Sequence, residues 1–213
     1  MITYNPIDGD PYLKSIDYSP RTCFVMTKLG DPIPDEISEI RTKLTEKLNS
    51  LDIKEIDASS KVTGRDFLLK IWKQLLSVPL GIGIVDDSMT PQTMANIFYE
   101  VGVLHSYGKE SLIIKTEGTR IPSDFVRTEY IVYNDDFESS LDKYFQTFFS
   151  LEDYFLQMSN QLEKNPLLSI DYLRRAYLIS GNEEYRKQVH EISQALNLAS
   201  RAKNSVENLI MKF

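Results

Sequence analysis

Residues 94–102 read MANIFYEVG and place a carboxylate where one needs explaining. Ile97, Phe98, Val101 and Leu104 recur at the spacing of a buried helical stripe, and Glu100 falls at its border, one turn after Asn96. A glutamate half-hidden against apolar neighbours must find a partner, lose its charge or react. At the mouth of a ligand cleft such a carboxylate can attack an anomeric carbon, forming a glycosyl ester that water or another acceptor opens. A nearby donor such as Asn96 or Tyr99 would hold its rotamer. On spacing alone the alternative is a helix-border glutamate paired with a lysine or arginine.

Three further clusters carry chemistry-bearing side chains. Asp86-Asp87-Ser88 follows the apolar run LGIGIV, 80–85. Acids there can bind ribose hydroxyls or a proton on a leaving base, or simply end a strand in a turn. Thr27 and Lys28, after CFVMT, can offer a hydroxyl, backbone N–H groups and a cation to a base or phosphate. In the segment 59–66, Lys61 and Arg65 can meet phosphate and Asp66 a ribose; the alternative is a solvated loop with a helix cap. No G-x-G-x-x-G or Walker lysine motif is present, which disfavours a Rossmann dehydrogenase or a P-loop NTPase. GIG at 81–83 lies inside a strand and is read as a decoy. His105 is expected to pack or hydrogen-bond near a helix end, and Cys23 to be inert core. No metal site is expected, since two histidines and one cysteine are too few for the usual zinc sets.

The elements that must position these residues alternate. Apolar runs near 23–27, 52–57, 80–85, 111–115 and 129–133 read as strands. Between the first four lie helical patterns through Ile37–Leu51, Phe67–Leu76 and about 91–107. That alternation predicts βαβ units in an α/β, doubly wound, mainly parallel five-stranded sheet of flavodoxin-like order 2-1-3-4-5. Ligands in such sheets sit outside the carboxyl ends of the strands, at the switch point between strands 1 and 3. The rule points to Thr27-Lys28-Leu29, to Asp86-Asp87-Ser88 and to the start of the third helix.

From about 135 the pattern becomes continuous helix. Leu141, Tyr144, Phe145, Phe148 and Phe149 form a dense face, a second helix passes through Tyr154, Phe155, Met158 and Leu162, and a third ends at Gly181. Tyr185, Val189, Ile192, Leu196, Ala199, Lys203, Val206 and Ile210 form a heptad seam with one polar interruption. It reads either as an oligomerisation element over 182–213 or as packing within the chain. The expected organisation is an N-terminal arm 1–21, an α/β domain 22–150 and a helical extension 151–213.

Net charge is −7, so there is no basic stripe to release counterions from a nucleic-acid backbone, and no direct nucleic-acid partner is expected. A locally basic pocket for a small nucleotide remains allowed. The first residues lack the apolar core of a signal peptide and no apolar run approaches a membrane span. A cytoplasmic protein is expected.

NIFYEVGVLHSYGKESLIIK, 96–115, resembles the N-V-F-Y-E-L-G signature of TIR-like and nucleoside 2-deoxyribosyltransferase-like domains. CFVMTKLGDP is similar to the family's first strand and loop, and GRDFLLKIWKQLLSVPLGIGIVDDS to its second helix and third strand. The likeness covers about 22–134. It implies that Glu100 is the nucleophile or key carboxylate in N-glycosidic bond cleavage, that Asp86 or Asp87 is the strand-ending acid, and that Asn96 is the motif asparagine. Thr27, Lys28, Asp66, Ser88, Asn96 and Tyr99 are then the expected substrate contacts. It further implies NAD or another nucleotide as substrate or ligand, no separate cofactor, and membership of a superfamily rich in bacterial antiphage and signalling modules. The chain departs from the signature at DDSMTPQTMAN, two or three residues longer than the family's D-x-T-x-x-N-P-N and without N-P-N. The rival expectation is a non-catalytic nucleotide sensor or adaptor that signals through its helical tail.

Overall fold

The computed structural model describes residues 4–10, 12, 16–58, 67–125, 129–162 and 164–195. The chain divides into two compact units, Thr22–Tyr144 on one hand and Met1–Arg21 with Phe145–Phe213 on the other.

Thr22–Tyr144 is the α/β unit. Its strands are β1 (Thr22–Met26), β2 (Lys54–Asp57), β3 (Leu80–Val85), β4 (Glu110–Lys115) and β5 (Tyr130–Val132). They form one sheet in the order β2-β1-β3-β4-β5, parallel at every pairing. This is the doubly wound α/β architecture that the alternation predicts, with helices on both sides of the sheet. β3 is central and buried at every position, which is why LGIGIV is an unbroken apolar run rather than an alternating one. The crossovers are α1 (Asp35–Ser50), α2 (Phe67–Ser77) and α3 (Pro91–Ser106). Each turns its periodic stripe inward: Ile37, Ile40, Leu44 and Leu48 from α1, Ile71, Trp72, Leu75 and Leu76 from α2, and Ile97, Phe98, Val101 and Leu104 from α3.

The glycines of β3 are not decoys in the structural sense. A Cβ on Gly81 would overlap Leu104 Cδ1 and touch Met26 Cε at 3.0 Å; one on Gly83 would press on Ile97 Cγ2 at 3.1 Å. Leu104 has no exposed surface and Ile97 2 %, so neither can step aside. Two absent side chains therefore let α3 lie close on the sheet.

After β5, α4 (Phe137–Gln161) is a single helix of 25 residues. The sequence pattern predicts two helices here, divided near 150. The Ser150-Leu-Glu-Asp stretch imitates a helix start, but Ser150 Oγ donates back to the Thr147 carbonyl at 2.7 Å and no glycine or proline interrupts. The division between the units falls within α4. In the second unit, α5 (Pro166–Ser180) begins at Asn165, whose Oδ1 accepts from Leu168 N, and ends at Gly181 with φ 73°. α6 (Glu183–Ala195) comes next, its Glu184 N–H donating to Asn182 Oδ1 at 3.0 Å. Tyr185 and Val189, the first two residues of the heptad seam, are buried in this unit. Leu196 to Ile210 of the seam lie outside the described residues.

Candidate active site

The carboxyl end of β1 opens into a cleft of about 390 Å³. Its floor is the last two residues of β1, Val25 and Met26, with Thr27 immediately beyond them. One wall is the first turns of α2, with Phe67, Leu68 and Ile71. The other is one face of α3, where Thr93, Asn96, Ile97 and Glu100 recur at three- and four-residue spacing. Leu29 and Ala58 complete it. The location is the crevice that a doubly wound sheet leaves at its switch point.

α3 is held in register at its start. Thr90 Oγ1 accepts the Thr93 N–H at 3.2 Å and Pro91 occupies the first helical position, where its missing N–H costs nothing. With the inward stripe pinned against β3, the Thr93–Asn96–Glu100 face is turned to the cleft. The carboxyl of Glu100, in the third turn, has no hydrogen bond or ion pair with any described residue, and burial pushes it up to about 7. No lysine, arginine or histidine is among the described residues lining the cleft. A carboxyl in this state titrates at neutral pH, and above it carries a charge with no cation among the described residues of the cleft.

The sequence-predicted residues separate into three groups. Thr27, Asn96, Tyr99 and Glu100 come together in the cleft. Asp86, Asp87, Ser88 and Lys28 are not among its lining. Asp66 lies outside the described residues, as do Lys61 and Arg65. Asp86 is 9 % exposed and accepts from Thr116 Oγ1 at 2.7 Å, from Ser88 N at 2.8 Å and from Ser88 Oγ. Burial alone would raise its pKa, but the Ser88 and Thr116 hydrogen bonds outweigh it and hold the carboxyl below its ordinary value. Asp86 thus ties the turn leading into α3 to Thr116, while Asp87 is exposed and accepts from Arg120 N at 3.4 Å. Lys28 Nζ donates to the carbonyls of Gly30, at 2.7 Å, and Pro32. Its cation clasps its own loop and so fixes the segment that offers Leu29 to the cleft.

The sequence reading names Leu29 in the loop after the first strand but gives no ligand role to Leu29, Phe67 or Leu68. With Tyr99 they are 44 %, 50 %, 39 % and 50 % exposed, a collar of large apolar side chains at the cleft. The signal is present: Phe67 and Leu68 are surplus to the stripe that α2 buries, and Leu29 is a lone apolar residue in a turn-rich loop.

No protein-family profile matches the chain. No curated protein matches it. Among solved structures it is similar to a 2-deoxyribosyltransferase from the psychrotolerant bacterium Bacillus psychrosaccharolyticus, with a TM-score of 0.40 and 13 % identity over 54 % of this chain and 86 % of that one. A likeness of that size says nothing about the chemistry of the cleft.

Proposed function

We propose that the α/β unit is an N-glycosidase-like enzyme acting on a nucleoside or nucleotide, NAD among them. The supporting observation is Glu100: an unpartnered carboxyl, among the described residues, beside apolar walls in a cleft of ligand size. In the ionised form it bonds to C1′ of the sugar as the N-glycosidic electron pair departs with the base; a purine or pyrimidine takes up a proton from water, whereas the nicotinamide of NAD leaves neutral without one. Water then opens the glycosyl ester and frees Glu100. The apolar collar takes the flat base, and Asn96 and Thr27 contact the sugar. Asp86 acts at one remove, by ordering the turn from which α3 starts.

A second reading is a nucleotide sensor without turnover. It is favoured by the absence of a second carboxylate from the described lining, since Asp86 is engaged by Ser88 and Thr116. In that reading the segment 182–213 carries the signal through self-association.

Incubating the protein with nucleosides, nucleotides and NAD, and following released base by mass, separates the two. Base release that disappears in Glu100→Gln supports the enzyme. Ligand-induced thermal stabilisation without any product supports the sensor, and turnover unchanged in Glu100→Gln refutes the assignment of Glu100.

A further inference from the structure

Thr27 presents an unmet requirement. It is 8 % exposed at the end of β1, it lines the cleft, and its Oγ1 is buried with no hydrogen-bond partner among the described residues. A hydroxyl shut away from both water and protein is held at a cost, and that cost disappears when something supplies the missing partner. A turn about Cα–Cβ interchanges hydroxyl and methyl within nearly the same volume, so the group can face the cleft without repacking β1. The other polar side chains of the described lining are differently placed. Thr93 Oγ1 is 3.0 Å from Thr90 Oγ1, Asn96 is exposed to water, and Tyr99 belongs to the collar. Thr27 is the buried polar group on the floor.

We infer that Thr27 is a specificity-determining residue: its hydroxyl turns into the cleft and hydrogen-bonds a sugar hydroxyl of the bound nucleoside. This rests on the glycosidic reading, which brings the sugar to Glu100 and leaves the flat base to Leu29, Phe67, Leu68 and Tyr99. The sugar's hydroxyls are then the ligand groups nearest the floor. A site that hydrogen-bonds a ligand hydroxyl rejects analogues lacking it, because its own polar group is again left unpaired.

The test compares adenosine with 2′-deoxyadenosine and 2′,3′-dideoxyadenosine, with binding measured by calorimetry and base release followed in parallel, on the full chain and on Thr27→Val and Thr27→Ser. The native chain should favour adenosine over the dideoxy analogue, and Thr27→Val should shrink that preference about tenfold, chiefly by weakening adenosine. Thr27→Ser keeps the hydroxyl and should keep the preference. Unliganded Thr27→Val should melt no lower than the native chain, because no hydrogen bond to a described residue is lost. A preference that survives Thr27→Val intact overturns the inference, and so does a lower melting temperature with unchanged preference, which would mark Thr27 as structural. If base is released while the preference is insensitive to Thr27, the role of Thr27 alone fails. If no nucleoside binds and no base appears, the glycosidic reading fails with it.

Discussion

At the scale of the residue, Glu100 makes two opposite demands on pH. As a nucleophile it must be ionised, so kcat/KM for base release should climb through about pH 7, where its carboxyl titrates, and level off above. A flat profile between about pH 6 and 8 would remove Glu100 from the nucleophilic role. Stability runs the other way. The folded-state pKa lies above the ordinary value of 4.5, so the folded protein holds the proton more tightly than the unfolded chain does. The protonated form favours folding at low pH, and that advantage is lost as pH rises from about 4.5 to about 7. Glu100→Gln escapes the loss and should be more stable than the native chain at about pH 8, by on the order of 2 kcal/mol, with the difference closing towards pH 4.5. Melting temperatures of both proteins across that range check it. Asp86 has the reverse sign: its lowered pKa gives stability that is present above its ordinary value near 3.8 and is lost as pH falls through the folded value. Asp86→Asn keeps an oxygen for Ser88 but puts an NH2 donor where Thr116 Oγ1 needs an acceptor, and should destabilise by about 1–3 kcal/mol, seen as a lower denaturation midpoint.

At the scale of the element, the controlling contact is α3 on β3. Gly81→Ala forces a methyl against Leu104 and should cost about 1–3 kcal/mol in a denaturant titration, more than Gly83→Ala, whose nearest neighbour is 3.1 Å away. Thr90→Ala removes the acceptor for Thr93 N and should cost about 1 kcal/mol. These positions also show what the sequence could and could not convey. The inward stripe of α3 and the sheet order follow from 3.6-residue spacing and from strand–helix alternation, both properties of the chain alone. That no cation among the described residues lines the cleft beside Glu100 does not follow, because any of the chain's 24 lysines and arginines could have reached it. Lys28 shows why: its sequence position suits a phosphate, while its Nζ is held by two carbonyls of its own loop. Asp86 was legible as a strand-ending acid, but its engagement depends on Thr116, thirty residues away on the neighbouring strand's end. The collar depends on which apolar side chains a helix fails to bury, and periodicity records only those it does. The uninterrupted α4 was hidden by a local imitation of a cap, resolved only by the direction of the Ser150 hydroxyl.

At the scale of the whole molecule, charge selects ligands before any contact is made. The chain carries −7, and the described lining of the cleft adds a carboxylate and no cation. A 5′-phosphate on a bound nucleoside should therefore weaken affinity, and the penalty should shrink as salt is raised from about 0.05 to 0.5 M, because screening shortens the reach of the repulsion. A phosphate that strengthens binding at low salt would show that a cation reaches the ligand. Among the described residues no helix is long and apolar enough to cross a membrane, so the cleft need not be reconciled with a bilayer-spanning helix there. The second unit has its own core, with Phe155, Leu173, Ala176, Tyr177 and Val189 buried in it, and its helix seam begins by packing inside that core.

Gly83 lies under Ile97, one turn before Glu100, and is not among the residues lining the cleft. Bulk added there would jack the helix outward and carry the acid with it, widening the gap to Thr27 while every wall residue stayed the same. The reach of the site is thus adjustable from beneath, by a single methyl group on the far side of the helix that bears it.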